Sequence, residues 1–210
     1  MTTKERITEE ALTLFAEKGY KGTSVKNIAD AVGIKAPSLY KHYKGKQDIF
    51  NAILEETARR YGSFTDGISV HLQGSDHDAS VFEAFTADAL VEKMRALIDY
   101  SLHDEYVSRF RRMMTIEQFR SPEMSALYSQ MYVDEIHHYH KELFAGMISA
   151  GVLEQTDPGT LAMMYDAPIF VWLGECDRHP EKEEECKLWP QVHASRGCPH
   201  NLQKEYGSQT

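Results

Sequence analysis

The sequence predicts an all-α protein. Apolar residues recur at intervals of three and four along most of the chain, and glycines and prolines stand where these patterns begin or end. No stretch alternates apolar and polar residues as a half-buried strand would. The chain has 210 residues, of which 42% are hydrophobic, so it can build a sizeable core.

The first fifty residues carry three short helical patterns. The first runs from Ile7 to Phe15, and the second from Val25 to Val32 behind a possible cap at Thr23 or Ser24. In the third, Pro37 occupies a first turn, where its missing N–H costs nothing, and Leu39, Tyr40 and Tyr43 follow. The patterns end at Gly19, Gly33 and Gly45.

The rest of the chain predicts longer helices. A fourth helix should run from Lys46 to about Tyr61, followed by a linker or long loop over residues 62–80 that is rich in Gly, Ser and Asp. Further helical patterns cover residues 82–98, 110–114 and 122–147, and one more helix should begin at Asp157 and Pro158. These patterns predict domains at residues 1–50 and 51–186, with an irregular tail over residues 187–210.

The segment from Leu161 to Leu173 is apolar on nearly every side. A helix of this kind needs cover on all its faces, either from its own domain or from a partner chain. We therefore expect this helix to form both core and subunit interface.

Charge divides the chain into two parts. The whole protein has a net charge of -9, yet residues 1–50 hold nine basic and six acidic groups. Between Tyr20 and Gln47 there are six lysines and one acid, Asp30. This asymmetry favours a small module that faces nucleic acid, carried on an acidic body.

The second and third patterns have the dimensions of a helix-turn-helix. The tight turn contains Gly33, and the helix after it can enter a major groove. The predicted internal contacts are Ile28, Ala29, Val32 and Leu39. The side chains left to face outward are Lys35, Ser38, Lys41 and His42.

The stretch GYKGTSVKNIADAVGIKAPSLYKHYKGKQDIF resembles the N-terminal DNA-binding domain of the TetR family of bacterial transcriptional regulators. The resemblance covers roughly the first 55 residues. It includes Gly19-Tyr20, the run Val32-Gly33-Ile34 and Leu39-Tyr40, all in register, whereas Tyr43 stands where many members have phenylalanine. It implies a homodimer that binds operator DNA and a C-terminal helical domain that binds a small-molecule effector.

The resemblance places the recognition helix at residues 36–42. Side chains at its start would lie nearest the base edges, and those at its end nearest the backbone. Helix starts at residues 23, 24 and 46 favour phosphate through their unpaired N–H groups. The predicted DNA-binding residues are Thr23, Ser24, Lys35, Ala36, Ser38, Tyr40, Lys41, His42, Tyr43 and Lys46.

Methionines and aromatic residues in the body can line an effector cavity, although most such residues are core. Glu117 or Asp166 would be the polar anchor. The candidate pocket residues are Phe110, Met113, Met114, Glu117, Tyr128, Met131, Met147, Met163, Tyr165 and Trp172.

Other sites and functions are disfavoured by spacing. Among His137, His138 and His140, helical spacing brings only an i, i+3 pair together and supplies no further metal ligand, so we expect these histidines to lie on the polar face of their helix. An odd number of cysteines, at 176, 186 and 198, argues against a disulfide framework. We expect no metal, cofactor or catalytic residue, and a cytoplasmic protein without a membrane span. Two alternatives stay open: a helix-turn-helix regulator controlled by a protein partner without a ligand pocket, and an enzyme, although no catalytic motif supports the second.

Overall fold

A computed structural model describes residues 1–68 and 87–184, except for the side chains of residues 87–90. These residues form helices and connecting turns, which confirms the all-α prediction. The helices are α1 (Thr3–Lys18), α2 (Val25–Val32), α3 (Ala36–Leu39), α4 (Lys46–Gly67), α5 (Ala87–His103), α6 (Glu105–Glu117), α7 (Pro122–Ser129), α8 (Glu135–Ser149) and α9 (Pro158–Arg178). A π-helical turn spans Gln130–Asp134, and a 3-10 turn spans Pro180–Lys182.

The first helices begin at side-chain caps that the sequence encodes locally. The Thr2 hydroxyl accepts from the N–H of Glu5, and the Glu5 carboxylate accepts from the N–H of Thr2. Ser24 and Asn27 form the same reciprocal pair at the start of α2. Each pair satisfies N–H groups that have no partner inside the helix, so these starts do not depend on distant packing.

The described residues pack as two compact units. The first unit contains residues 1–64 and 103–129, and therefore α1 to α3, most of α4, and α6 and α7. Its fully buried large side chains are Ile7, Leu12, Phe15, Ile28, Leu39, Ile49, Phe50, Ile53, Phe110, Met113 and Met114. Burial of one such side chain stabilises the fold by about 1.5–3 kcal/mol.

Helix α6 belongs to the first unit through its packing. The rings of Phe110 and Phe50 lie 6.4 Å apart between centroids. Arg109 on α6 donates to the Thr13 hydroxyl at 3.0 Å and lies 3.5 Å from a Glu9 carboxylate oxygen on α1. A helix that the sequence places after residue 50 thus completes the core around the N-terminal helices.

The second unit contains the described residues of 65–102 and 130–184. One core cluster joins α8 to α9 and includes Phe144, Met147 and Leu161. A second cluster joins α5 to α9 and includes Met94, Ile98 and Trp172. Tyr165 packs against both clusters, so α9 is the central helix of this unit.

The structure corrects two predicted boundaries. Helix α4 continues to Gly67 rather than ending near Tyr61, because one interior glycine at position 62 costs only about 1 kcal/mol and Thr57 and Thr65 are buried. The pattern over residues 122–147 is interrupted by the π-helical turn.

Residues 69–80 of the predicted linker, the apolar residues Phe82 and Phe85, and the predicted tail lie outside the described residues. The domain boundaries after residues 50 and 186 stay predictions. No helix in the described ranges is long and apolar enough to cross a membrane.

Candidate nucleic-acid interface

Helices α2 and α3 form the predicted helix-turn-helix. Gly33 has φ of 78° and donates to the Asp30 carbonyl oxygen, while the Ile34 N–H donates to Ala29. This left-handed position favours glycine, and it ends α2 so that the chain can turn into α3. The predicted internal residues are all buried: Ile28, Ala29, Val32 and Leu39.

The recognition helix is shorter than predicted. Regular α-helix covers Ala36–Leu39, and the chain then continues in turns rather than to His42 as helix. In these turns, the N–H groups of Lys41 and His42 donate to carbonyl oxygens three residues earlier. Such i to i+3 bonds are usual where a helix tightens at its end.

The side chains of this segment form an outward-facing surface, which we call the α3 surface. Lys35, Tyr40, Lys41 and His42 are exposed, and Ala36 and Ser38 are partly exposed. Tyr40 keeps 55% of its surface exposed although it is large and aromatic. Cations and hydroxyl groups in this arrangement can contact phosphates, and the small side chains at its start allow close approach to base edges.

Ser24 lies at the exposed start of α2. Its hydroxyl oxygen accepts from the N–H of Asn27 and lies 2.7 Å from the Asn27 amide oxygen. The first N–H groups of this eight-residue helix point out of its start. Ser24 therefore lies at the start of α2, where the sequence predicts a phosphate contact.

Thr23 differs from its neighbour because it is only 1% exposed. Its hydroxyl bonds to the carbonyl oxygens of Leu14 and Gly19 at 3.1 and 3.0 Å. The side chain thus joins the end of α1 to the start of α2 and does not offer its hydroxyl to a ligand.

Tyr43 is 4% exposed, and its hydroxyl lies 3.5 Å from the carbonyl oxygen of Lys4. Burial, together with the negative charges of Asp48 and Glu55, raises the pKa of Tyr43 to about 12. The phenol is therefore neutral at physiological pH, and the residue acts chiefly as a core ring.

Lys46 bonds to the protein's own backbone. Its ammonium donates to the carbonyl oxygens of Tyr20 and Thr23 at 2.7 and 2.9 Å. The Nζ atom also lies 4.3 Å from the centre of the Tyr20 ring. Burial lowers the pKa of Lys46, and the negative charge of Glu117 opposes that shift.

The family model described as bacterial regulatory proteins, tetR family, matches residues 7–53. The N-terminal domain of this chain is a TetR-family DNA-binding domain. The matched range contains the capped α2, the Gly33 turn and the α3 surface, so the family match and the geometry concern the same residues.

Two curated relatives of this chain are transcriptional regulators. Over 52 residues, or 25% of this chain, it is 46% identical to IcaR of Staphylococcus epidermidis, a negative transcriptional regulator of the biofilm operon icaADBC. Over 152 residues, or 71% of this chain, it is 29% identical to the transcriptional repressor KstR2 of Rhodococcus jostii. These matches span 28% of IcaR and 65% of KstR2, which is less than two thirds of either relative.

Solved TetR-family structures share the fold over nearly the whole chain. SmeT of Stenotrophomonas maltophilia, in its complex with triclosan, gives a TM-score of 0.66 at 20% identity and covers 96% of this chain and 97% of SmeT. PfmR of Thermus thermophilus gives 0.62 at 24% identity and covers 96% of this chain and 100% of PfmR. At these low sequence identities, the similarity to SmeT and PfmR shows a shared fold and nothing more.

The ten candidate effector residues fall into both units. Phe110, Met113, Met114, Glu117 and Tyr128 lie in the first unit, and Met131, Met147, Met163, Tyr165 and Trp172 lie in the second. The proposed anchor Glu117 already accepts from Arg120 at 2.8 Å. Met163 is 56% exposed, so it does not line a closed cavity within its unit.

The second unit contains a polar cluster that sequence spacing did not predict. The Asp166 carboxylate lies 2.5 Å from Nδ1 of His140 and 3.2 Å from Nδ1 of His137, so its two oxygens join α9 to α8. His140 is buried, which corrects the expectation that these histidines lie on a polar face. Its ring contacts that of Tyr165, with centroids 4.7 Å apart.

Proposed function

We propose that this protein is a one-component transcriptional repressor that acts on operator DNA in the cytoplasm. The observation that carries the proposal is the α3 surface: exposed Lys35, Tyr40, Lys41 and His42 stand on a helix-turn-helix whose internal contact residues are buried. The surplus of basic groups in the first fifty residues attracts the DNA backbone. KstR2 and IcaR repress transcription, and this similarity supports repression rather than activation by this protein.

The repressor would bind as a homodimer through α9. In the single chain, α9 buries Leu161 and Trp172 on one side and leaves Met163, Met164 and Val171 between 49% and 61% exposed on another. Exposed apolar side chains at helical spacing indicate a protein interface. A second copy would cover them, as the apolar sequence of this helix suggests, and would place two α3 surfaces in major grooves about 34 Å apart.

Replacing Val171 with glutamate tests this interface. Because the charge would lose its water in the dimer, we expect the dissociation constant of the dimer to rise at least tenfold. Sedimentation velocity over a range of protein concentrations measures it. Phe119→Glu is the matched control, since Phe119 is 84% exposed in the first unit. If the two variants dimerise equally well, the α9 interface is wrong.

A small-molecule effector would bind in the second unit and favour a dimer geometry that no longer fits the operator. Tyr165, which packs against both clusters, and Trp172, whose buried indole N–H has no acceptor among the described residues, support this location. The SmeT–triclosan complex gives one case of a small molecule bound to this fold. A coupling of about 1–3 kcal/mol between the two sites would suffice for control.

The DNA-binding proposal is tested by selecting bound fragments from the source genome and measuring affinity for the operator found. If Lys35 or Ser38 contacts base edges, Lys35→Ala or Ser38→Ala should weaken operator binding about tenfold and change the ranking of operator variants. Lys141→Ala is the control, because Lys141 is exposed in the second unit. If both α3 variants rank the operator variants as the unaltered protein does, Lys35 and Ser38 do not contact base edges. If no genomic fragment is selected at all, the proposed function is wrong.

A further inference from the structure

Glu117 is a buried acid at the end of α6. The residue is 2% exposed, and its Oε1 accepts from Nη1 of Arg120, whose side chain is 56% exposed. Arg120 shares its charge with water, whereas the Glu117 carboxylate is almost completely removed from it. The burial of Glu117 therefore calls for other compensation within the first unit.

The carboxylate of Glu117 lies against the turn formed by residues 19–23, here called the α1–α2 turn. A Cβ atom built on Gly19 would lie 2.9 Å from Oε1 of Glu117 and 2.8 Å from Nη1 of Arg120. Gly19 also has φ of 79°, a backbone conformation that L-residues rarely adopt. The end of α6 and the α1–α2 turn thus meet at Gly19, where the positive φ favours glycine.

Lys46 binds the same turn from the start of α4. Its two hydrogen bonds go to Tyr20 and Thr23, the residues directly after Gly19 and directly before Ser24. Thr23 in turn bonds to Leu14 and Gly19. The cation and its bonds therefore fix the backbone that leads into the Ser24 cap and the start of α2.

The charges of Glu117 and Lys46 interact although the two side chains form no direct ion pair within 4 Å. The Glu117 charge raises the pKa of Lys46 against the larger lowering by burial. Other groups that can carry charge near Lys46 are Tyr20, whose ring it contacts, Arg120 beside Glu117, and Asp48 on α4, which accepts from the Lys44 N–H.

We propose that Glu117 is a positioning residue for operator binding, which acts by compensating the charge that Lys46 uses to fix the α1–α2 turn. Lys46 then supports the phosphate contact at Ser24 from within the protein and makes no phosphate contact itself. This inference rests on the proposed function, and it replaces the expectation that Lys46 binds DNA directly.

The test is a double-mutant cycle with Glu117→Gln and Lys46→Gln in the full chain. Glutamine at position 46 is neutral and keeps an amide donor for the turn carbonyls. We expect Glu117→Gln to weaken operator binding about tenfold with Lys46 present, and less than twofold with glutamine at position 46. A purely structural role of Glu117 would give the same loss in both backgrounds. Arg120→Gln is the control and should change affinity less than twofold.

Salt dependence supplies the second measurement. Lys46→Gln should weaken binding while leaving the slope of log affinity against log salt unchanged, because no phosphate contact is lost. A slope reduced by about one would show a direct phosphate contact and overturn the proposal, as would additive losses in the cycle.

The experiment also separates the inference from the proposed function. If the unaltered protein selects no operator, the proposed function fails, and the same cycle is then measured on the free energy of unfolding. Coupling between positions 46 and 117 in that measurement supports the charge compensation, and additivity overturns it.

Discussion

Replacing Phe110 with alanine should lower the free energy of unfolding by about 3–5 kcal/mol. Phe110 is completely buried in the first unit, and its ring packs against that of Phe50. The substitution removes a large apolar side chain and leaves a cavity that the packed helices fill only in part. Chemical denaturation followed by circular dichroism measures the loss.

Two further variants test this prediction even if Phe110→Ala does not fold. Phe110→Leu retains most of the apolar volume and should cost less than half as much. Phe119→Ala, a change of the same chemistry at an 84% exposed position, should alter stability by no more than about 0.5 kcal/mol. If Phe110→Ala is as stable as Phe119→Ala, Phe110 does not contribute to the core of the first unit. Phe110 would then again be a candidate for the effector pocket.

The sequence predicted the N-terminal helices well because local signals determine them. The caps at Thr2 and Ser24 and the left-handed glycine at position 33 each act within four residues of the backbone they stabilise. The burial of Ile28 and Leu39 follows from helical spacing alone. No knowledge of distant contacts is needed for any of these features.

The sequence could not predict the hydrogen-bond partners of three of the proposed DNA-binding residues. Thr23 and Lys46 donate to backbone carbonyl groups, and the Tyr43 hydroxyl lies beside Lys4, 39 residues away. A family resemblance gives the positions of such residues and not the direction of their side chains. For Thr23, its place before a capping serine is the only local sign of a structural role.

The candidate effector residues were selected by type, which does not separate core from cavity. Met113 and Met114 are at most 1% exposed in the first unit, whereas Met163 on α9 lies at the surface. Whether such a methionine is buried depends on which helices pack together, and contacts between residues distant in the sequence decide that packing. The burial of Glu117 has the same origin, since it needs the α1–α2 turn about one hundred residues earlier.

Replacing Asp166 with asparagine should lower the free energy of unfolding by about 3 kcal/mol. The carboxylate is 4% exposed, and its oxygens lie opposite Nδ1 of His140 and Nδ1 of His137. Asparagine has one acceptor oxygen, so its amide group would face one of the two imidazole nitrogens. One histidine would then have to change its tautomer or lose its partner within the buried contact between α8 and α9.

Asp134→Asn is the matched control, because Asp134 is exposed next to α8 and its side chain does not cap that helix. It should change stability by no more than about 0.5 kcal/mol. Nitrogen NMR of the imidazoles provides an independent measurement, since a loss of the Asp166 bonds should alter the Nδ1 signals of His137 and His140 together. Equal stability of the two variants would show that the cluster contributes little to holding α8 against α9. Because Asp166 stands on the helix whose exposed side carries Met163 and Val171, loosening this contact should also weaken the proposed dimer, whereas Asp134→Asn should not.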